Sequence, residues 1–496
     1  MSMVNRRSFL KSSLAAAGFA TLPPCSRVRG ANGDIRVAVV GFNGMGKSHI
    51  NAYRRIPGVR IVALCDVDSR VLDWGKQDFG KRNEPVDCYI DYRKLLEDRN
   101  IDAVSIVTPN HWHSLMGIWA CQAGKDATVE KPVSHNIFEG RKLVEASRKY
   151  NRMVQGDFDQ RSKESMHEAV RWIHAGNLGA IRLARGRCYK HRPSLGKVDG
   201  PQAVPETIDY DLWTGPATLL PLRRRRLHYD WHWVWATGCG ELGNNGPHQL
   251  DVCRWVLGHE DLPARVFSIG GRFGYNDDGE TANTQFIYYD YAPAPIIYEV
   301  RGLPPREGAS GKTMDLFEPV AGNGVTLNAS YRGTGPNTGV VIECEDGYVD
   351  MGGPTAYDYQ GKVLKQFTGE NIGPQANFIK AVRSRKRRDL RNDILDGHLS
   401  TALSHMGNIS HRIGRKTSPA DILDSIKANP DLVEVYGRFK AHLAVNGVDL
   451  ERTPATLGPV LTIDSKTERF SGDFSAEANM LLSRNYRSPF VVPESV

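Results

Sequence analysis

From residue 35 to about residue 155 the chain alternates between short unbroken apolar runs and segments whose apolar residues return every three or four positions. "IRVAVV" (Ile35–Val40), "VRIVALCD" (Val59–Asp66), "DAVSIVTP" (Asp102–Pro109) and "DATVEKP" (Asp126–Pro132) are runs of the kind a strand buried on both faces requires. Helical periods lie between them. One, Ser114–Ala123, ends at Gly124, a residue suited to a helix C-terminus. Strand and helix in this repetition predict a doubly wound parallel sheet with helices on both faces.

After about residue 160 the rhythm changes. A helix is predicted over Lys163–His174 with its stop at Gly176, followed by "AIRLARGRCYK", which alternates as a strand does. A loop rich in Pro, Trp, Arg and His covers Arg192–Trp235, and a second helix starts at Pro247. Strand-like runs dominate from Ala264 to about Val349, and "PQANFIKAVRSRKRR" and "HLSTALSHMGNISHRIG" read as late helices. The pattern predicts a second α/β domain with a mostly antiparallel open sheet. The expected organisation is a signal segment over 1–32, a dinucleotide-binding Rossmann domain over 33–160, a substrate domain over 161–415, and a C-terminal extension over 416–496 packing on the body. No internal repeat is visible.

A length of 496 residues suits two or three domains, and 40% hydrophobic with 24% charged residues is the make-up of a soluble globular chain. The net charge of +8 comes largely from Arg223–Arg226 and Arg383–Arg388. No nucleic-acid motif accompanies either run, so both read as solvated or salt-bridged surface. The eight cysteines include no CxxC pair, which argues against a zinc site or a redox dithiol, and Cys65 and Cys121 read as buried small hydrophobes. His228 and His232 have no spaced carboxylate set beside them, so no metal is expected. "NRRSFLK" ahead of "SSLAAAGFATLPP" looks like a twin-arginine export signal, too short to span a bilayer. A periplasmic or otherwise exported protein is expected, with no integral membrane segment after processing.

"VVGFNGMGKSH" (39–49) carries candidate chemistry. In a dinucleotide turn the first glycine permits the bend, the second admits the pyrophosphate and the third lets helix pack on strand. Gly41 and Gly46 fit the first and third tasks. Asn43 stands in the second, followed by Gly44, and its tolerance of left-handed angles would let the turn survive. The pyrophosphate is expected at the helix N-terminus near Met45. Asp66 stands 20 residues beyond Gly46 at the end of the second strand. A carboxylate there grips ribose hydroxyls and repels a 2′-phosphate, which favours NAD over NADP.

"GFNGMG", "TPNHWH" (Thr108–His113), "EKP" (Glu130–Pro132) and "GCGELGNNGPHQLD" (Gly238–Asp251) together resemble the Gfo/Idh/MocA family of oxidoreductases, over roughly residues 33–415. The resemblance implies a Rossmann domain followed by an α/β domain whose sheet walls the site. It also implies action on sugars, polyols or related compounds with a nicotinamide cofactor. It would place Thr108, Pro109, Asn110 and His113 along the cofactor and Glu130 at the nicotinamide ribose. Lys131 would be the catalytic lysine and His248 the catalytic histidine. Four residues before His248 the family usually has Asp, and Asn244 stands here.

The residues support much of this independently. Lys131 sits at the carboxyl end of a strand, where open parallel sheets bind ligands, and can stabilise a developing alkoxide. His248 follows Pro247 and so falls in a helix's first turn, where the dipole keeps the ring neutral and able to act as a base. Asp251 shares that helix face and could orient the ring or cap the helix. Tyr189, Lys190 and Arg192 at a strand end, with His232 and Trp235 in the aromatic loop, are further candidates for the substrate pocket. The expected partners are a small carbohydrate and further copies of this chain, and no nucleic acid. Two enzymatic readings follow. One is an oxidoreductase with trapped NAD in a closed redox cycle. The other is a glycoside hydrolase or lyase that oxidises C3 transiently to permit elimination. A third, weaker reading is a cofactor-binding protein without turnover.

Overall fold

The computed structural model describes residues 33–304 and 338–496. The export-like segment therefore lies outside the described residues. The first sheet contains β1 (Ile35–Val40), β2 (Val59–Cys65), β3 (Asp87–Tyr89), β4 (Ala103–Ile106), β5 (Asp126–Glu130) and β6 (Val154–Asp157). Their order is β3-β2-β1-β4-β5-β6, all parallel. The order reverses between β1 and β4, and an open sheet offers its ligand crevice at such a switch point. The apolar runs predicted as doubly buried are so: β4 is buried at every position, and β1 at all but one. Apolar side chains fill both faces of the sheet, Phe42, Ile50 and Phe79 on one and Leu115, Leu143 and Val154 on the other.

The second sheet is mixed and mostly antiparallel. It begins with β7 (Ile181–Cys188), β8 (Arg265–Gly271), β9 (Thr284–Asp290) and β10 (Ile296–Arg301). It continues with β11 (Thr338–Cys344), β12 (Tyr348–Asp350), β13 (Thr355–Tyr357) and β14 (Val363–Gln366), then β15 (Arg415–Lys416) and β16 (Thr456–Leu457). The order is β14-β13-β12-β11-β7-β10-β9-β8-β16-β15, and only the β7–β10 pair is parallel. Helix Ile394–Arg412 runs between the two sheets. It touches helix Ile137–Lys149 and β6 on one side and helix Gly246–Leu257 and β8 on the other. This long buried contact holds the two halves of the site in register.

The residues after 416, polar in sequence, carry an apolar face. Ile422, Leu432, Val435, Tyr436 and Phe439, on helices Pro419–Ile426 and Pro430–Val445, cover Phe267, Phe286 and Ile297 of the second sheet. Among the described residues, no helix is long and apolar enough to cross a membrane. The seven described cysteines are all free thiols. The basic runs sit as ordinary surface and interior charge. Arg224 is buried over the Trp213 ring, Arg226 pairs with Asp230, and Arg385 pairs with Asp126.

Candidate active site

The turn after β1 is shaped by two glycines. Gly41 adopts φ 76°, and a Cβ there would lie 2.8 Å from the Val107 carbonyl oxygen. A Cβ on Gly46 would lie 2.2 Å from the Gly41 oxygen, so Gly46 is the close-packing glycine and is turned away from the cleft. Gly44 has open space where its Cβ would stand, and Asn43, Gly44 and Met45 line the cleft mouth. Asn43 keeps an ordinary negative φ. The left-handed tolerance expected of it is therefore not used, because Gly41 alone makes the bend. Asp66 closes the far end. Its carboxylate accepts from the backbone N–H of Phe42 and of Asp68, each at 3.1 Å. Burial pushes its pKa up to about 6, against the pull of those two donors.

A cleft of about 570 Å³ runs from this turn past Thr108, Pro109, Asn110 and His113 to Glu130, Lys131 and Asn244. Its size and its glycine floor fit an extended dinucleotide. The His113 ring nitrogens face the Pro132 and Thr108 carbonyl oxygens, each at 2.6 Å, so this residue pins the EKP loop to the loop after β4. The opposite wall comes from the aromatic loop, through Leu212, Trp213, His228, Tyr229, Trp231 and His232. That segment is strapped to the first domain. The Ser69 N–H donates to the Thr207 oxygen (2.9 Å) and the Asp209 N–H to the Val67 oxygen (3.1 Å), while His228 meets Asp68 at 3.0 Å.

Chemistry concentrates at the end of β5. The Lys131 ammonium donates to the Asn244 carbonyl oxygen at 2.7 Å and approaches its Oδ1 at 3.4 Å, joining the two domains. Burial lowers the Lys131 pKa; Glu130 and Glu241 oppose that shift, and Lys190 and Arg192 add to it. The Glu130 carboxylate faces inward as well as into the cleft, accepting from the Lys131 N–H (2.9 Å) and lying 3.2 Å from His49 Nε2. His49 is also 3.2 Å from Asp157, and its Nδ1 is 2.8 Å from Ser105 Oγ. In this trio burial favours the neutral acids, but the shared histidine draws the Glu130 pKa down, while the Glu130 charge adds to burial in raising that of Asp157.

His248 stands in the first turn of helix Gly246–Leu257, edge-on to the Phe158 ring at 6.3 Å, just past the cleft's own lining. Burial, then the positive charges of Lys131, Lys190 and Lys163 against Glu130, lower its pKa to about 3. The ring is neutral at physiological pH, as expected from its helix position, although burial and lysine charge do most of the work.

Lys190, Arg192, His232 and Asn244 also gather here. The Lys190 ammonium donates to Asn245 Oδ1 at 3.0 Å. Arg192 donates twice to Glu241, at 2.8 and 2.9 Å. His232 stacks on Trp231 with ring centroids 3.6 Å apart. Three expectations are corrected. Tyr189 is buried on the opposite face of the second sheet under the Arg301 guanidinium (4.3 Å), because side chains alternate along a strand and its neighbours Cys188 and Lys190 take the site face. Trp235 lies under Arg412 (4.9 Å) in a separate small hollow with His405 and Asn408. Asp251 neither orients His248 nor caps the helix. It pairs with buried Arg161 at 2.8 and 2.9 Å and accepts from Ser400. Sequence reading missed Glu241, His49 and Asp157. Glu241 lay inside a quoted motif, and an acid three residues before Asn244 on one helical turn was the available signal. His49 and Asp157 are far apart in sequence and gave none.

The cleft leads from the glycine turn to Lys131, where the second domain meets it through Asn244, which is the layout of a two-domain NAD-binding oxidoreductase. Two stretches of the chain are similar to one family of that class, Gfo/Idh/MocA. Residues 35–158 match that oxidoreductase family's NAD-binding Rossmann fold, and residues 184–297 match its C-terminal α/β domain. A glycosyl hydrolase family 109 protein of Shewanella sp. (strain ANA-3) is 32% identical over 171 residues, covering 30% of this chain and 38% of the relative. An inositol 2-dehydrogenase of Salmonella typhimurium is 26% identical over 180 residues, covering 36% of this chain and 52% of the relative. The matched stretch thus spans between a third and just over half of these relatives. Among solved structures, the WlbA dehydrogenase of Bordetella pertussis, in complex with NADH and UDP-GlcNAcA, shares the fold. Its TM-score is 0.53 at 18% identity, covering 75% of this chain and 95% of that one.

Proposed function

We propose that this protein is an NAD-dependent oxidoreductase acting on a CH–OH group of a sugar, polyol or sugar derivative, with its cofactor retained through a closed redox cycle. The observation that carries the reading is the Lys131–Asn244 contact at 2.7 Å, which puts an ammonium where the cleft from the glycine turn meets the second domain. When bound, NAD would accept a hydride from the substrate carbon and return it. Lys131 donates a hydrogen bond to the reacting oxygen and stabilises its developing charge. Neutral His248 takes the hydroxyl proton at a ring nitrogen. Asn244, an amide, positions Lys131 and moves no proton.

Cofactor retention is supported by a second layer on the strap. Arg487, near the chain's end, donates to the Asp211 and Gly215 carbonyl oxygens at 2.8 and 3.2 Å and pairs with the Asp211 carboxylate. Arg484 donates to the Ala236 and His111 oxygens, and Phe490 packs edge-on to Trp112 at 5.3 Å. These contacts hold in place the wall that Leu212 and Trp213 give the cleft, and would slow release of a dinucleotide bound there. Protein as isolated is expected to release NAD on denaturation, and to show bound reduced cofactor after a reducing sugar or polyol is added. Protein that folds, carries no nucleotide and binds none would defeat the reading. Arg487→Ala is expected to raise the rate of NAD loss about tenfold, the effect of a few partly exposed charged hydrogen bonds, as measured by nucleotide content after gel filtration. Export by the twin-arginine route, which carries folded proteins, fits a cofactor that travels with the chain.

NAD is preferred to NADP on the strength of Asp66. Asp66→Ala is expected to weaken NAD about ten- to hundred-fold and to narrow the preference over NADP, as titration of stripped protein would show. Protonated Asp66 cannot accept from both ribose hydroxyls. NAD affinity should therefore fall as pH drops through about 6, approaching tenfold per unit below it.

The family 109 likeness favours a second reading on the same site. Oxidation at C3 acidifies the C2 hydrogen, elimination expels the aglycone, water adds and the hydride returns to C3. Release of an aryl group from a chromogenic glycoside with no net change in NAD would select this reading over transfer between two substrates.

A further inference from the structure

Two ammonium groups reach the site from different domains, Lys131 from the end of β5 and Lys190 from just past β7. Consecutive asparagines hold them: Asn244 takes Lys131 through its carbonyl oxygen (2.7 Å), and Asn245 takes Lys190 through Oδ1 (3.0 Å). Neither lysine forms an ion pair with a carboxylate of the described residues. The nearby acid, Glu241, is buried and already committed. It accepts twice from Arg192 and once from each of Asn244 and Asn245, so that pair cancels within the wall. Glu130 is turned toward His49, 3.2 Å away. The positive end of helix Gly246–Leu257 adds the same sign at the same place. Half-buried ammonium groups that repel one another, with Glu130 and Glu241 offsetting Lys131 only at a distance and no carboxylate in direct contact with either, are costly, and an incoming anion relieves that cost.

We propose that the substrate carries an oxyanion, the carboxylate of a uronate or the phosphate of a sugar ester, which Lys190 binds beside Asn245 while Lys131 takes the reacting hydroxyl. This rests on the oxidoreductase reading for its reaction, and on the paired lysines alone for its charge. Lys190 discriminates between acidic and neutral sugars, and the amide anchors fix the ammonium without neutralising it. A carboxylate anchor at position 245 would have quenched the charge the substrate needs.

The test uses NAD-loaded full-length protein and matched sugars. Gluco, galacto and manno glycosides are compared with their uronides and their 6-phosphates, both for binding by calorimetry at low and high salt and for reduction of bound NAD. In at least one pair the acidic member should bind about ten- to hundred-fold more tightly, the worth of a charged hydrogen bond, with the advantage shrinking in salt. Whether uronide or phosphate leads identifies the oxyanion. Lys190→Gln, which keeps a donor for Asn245, should erase most of that preference. If in every pair the neutral sugar binds as well as its acids, or if Lys190→Gln leaves the ratio unchanged, the proposal falls. Binding that depends on Lys190 with no change in bound NAD would keep the anion site and remove the oxidoreductase reading. Turnover that favours neutral sugars would do the reverse.

Discussion

Lys131→Ala is expected to lower turnover about a hundred- to ten-thousand-fold, the range for a positioned proton-transfer or charge-stabilising group. The ammonium is the group on the first domain that reaches across to Asn244, and burial keeps it poorly hydrated, so its charge acts at full strength on a developing alkoxide. Its removal leaves Asn244 its own contact with Glu241 (3.4 Å) and leaves the Glu130–His49–Asp157 trio intact, so the fold and NAD content should survive. The measurement is single-turnover reduction of bound NAD at saturating substrate, beside nucleotide content and thermal stability. Near-normal turnover in a stable, NAD-loaded variant would remove the lysine from the chemistry. Lys131→Arg should recover little. A guanidinium keeps the charge but is a broader planar donor set, mismatched to a single carbonyl acceptor.

Much of this arrangement was legible in the chain because it is local. A buried parallel strand declares itself in an unbroken run such as "IRVAVV", and a tight turn at φ 76° admits Gly41 and few alternatives. Lys131 is marked in the sequence by the EKP motif and the resemblance it carries; a strand end in an open sheet adds to that, but by itself a lysine there would more often be a surface charge. The failures are non-local or a matter of parity. Tyr189 and Lys190 are neighbours in sequence, yet the strand's period of two sends one under Arg301 and the other to Asn245. Asp251 lies one helical turn from His248, but a buried arginine ninety residues upstream, Arg161, outbids the histidine for its carboxylate. Trp235 and Trp231 belong to one aromatic stretch, and only the strap's path decides which faces the cleft. His49, brought to Glu130 and Asp157 by helix packing on the sheet, has no signature in one dimension. Glu241 shows how a hub hides: its importance lies in Arg192 and Asn245, which converge on it from a strand end and a helix start.

His248→Asn is expected to cost about a hundred- to ten-thousand-fold in turnover with NAD still bound, since the ring lies past the dinucleotide cleft. The more informative measurement is the pH dependence of kcat. In the free protein the His248 pKa is lowered to about 3, by burial first and then by Lys131, Lys190 and Lys163, with Glu130 opposing. A base must be unprotonated to act, so activity falls as pH drops through its pKa. At about 3 that limb lies below the working range, and a base so weak has little drive to take a hydroxyl proton. An oxyanion bound at Lys190 would screen one of the lesser charges that lower it and so shift the His248 pKa upward, making the ring a stronger base. The acid limb of kcat, which reports the substrate complex, should therefore stand at higher pH with a uronide or sugar phosphate than with the matching neutral sugar. The alkaline limb, set by loss of the Lys131 proton, should come at lower pH than for an ordinary lysine because burial favours its neutral form. Asn244→Asp, which gives Lys131 a carboxylate, should move both limbs to higher pH. Acid limbs that coincide for charged and neutral sugars would show that His248 is not tuned by the substrate. An active His248→Asn protein with an unaltered profile would pass the proton to His232, a neutral imidazole on the cleft wall.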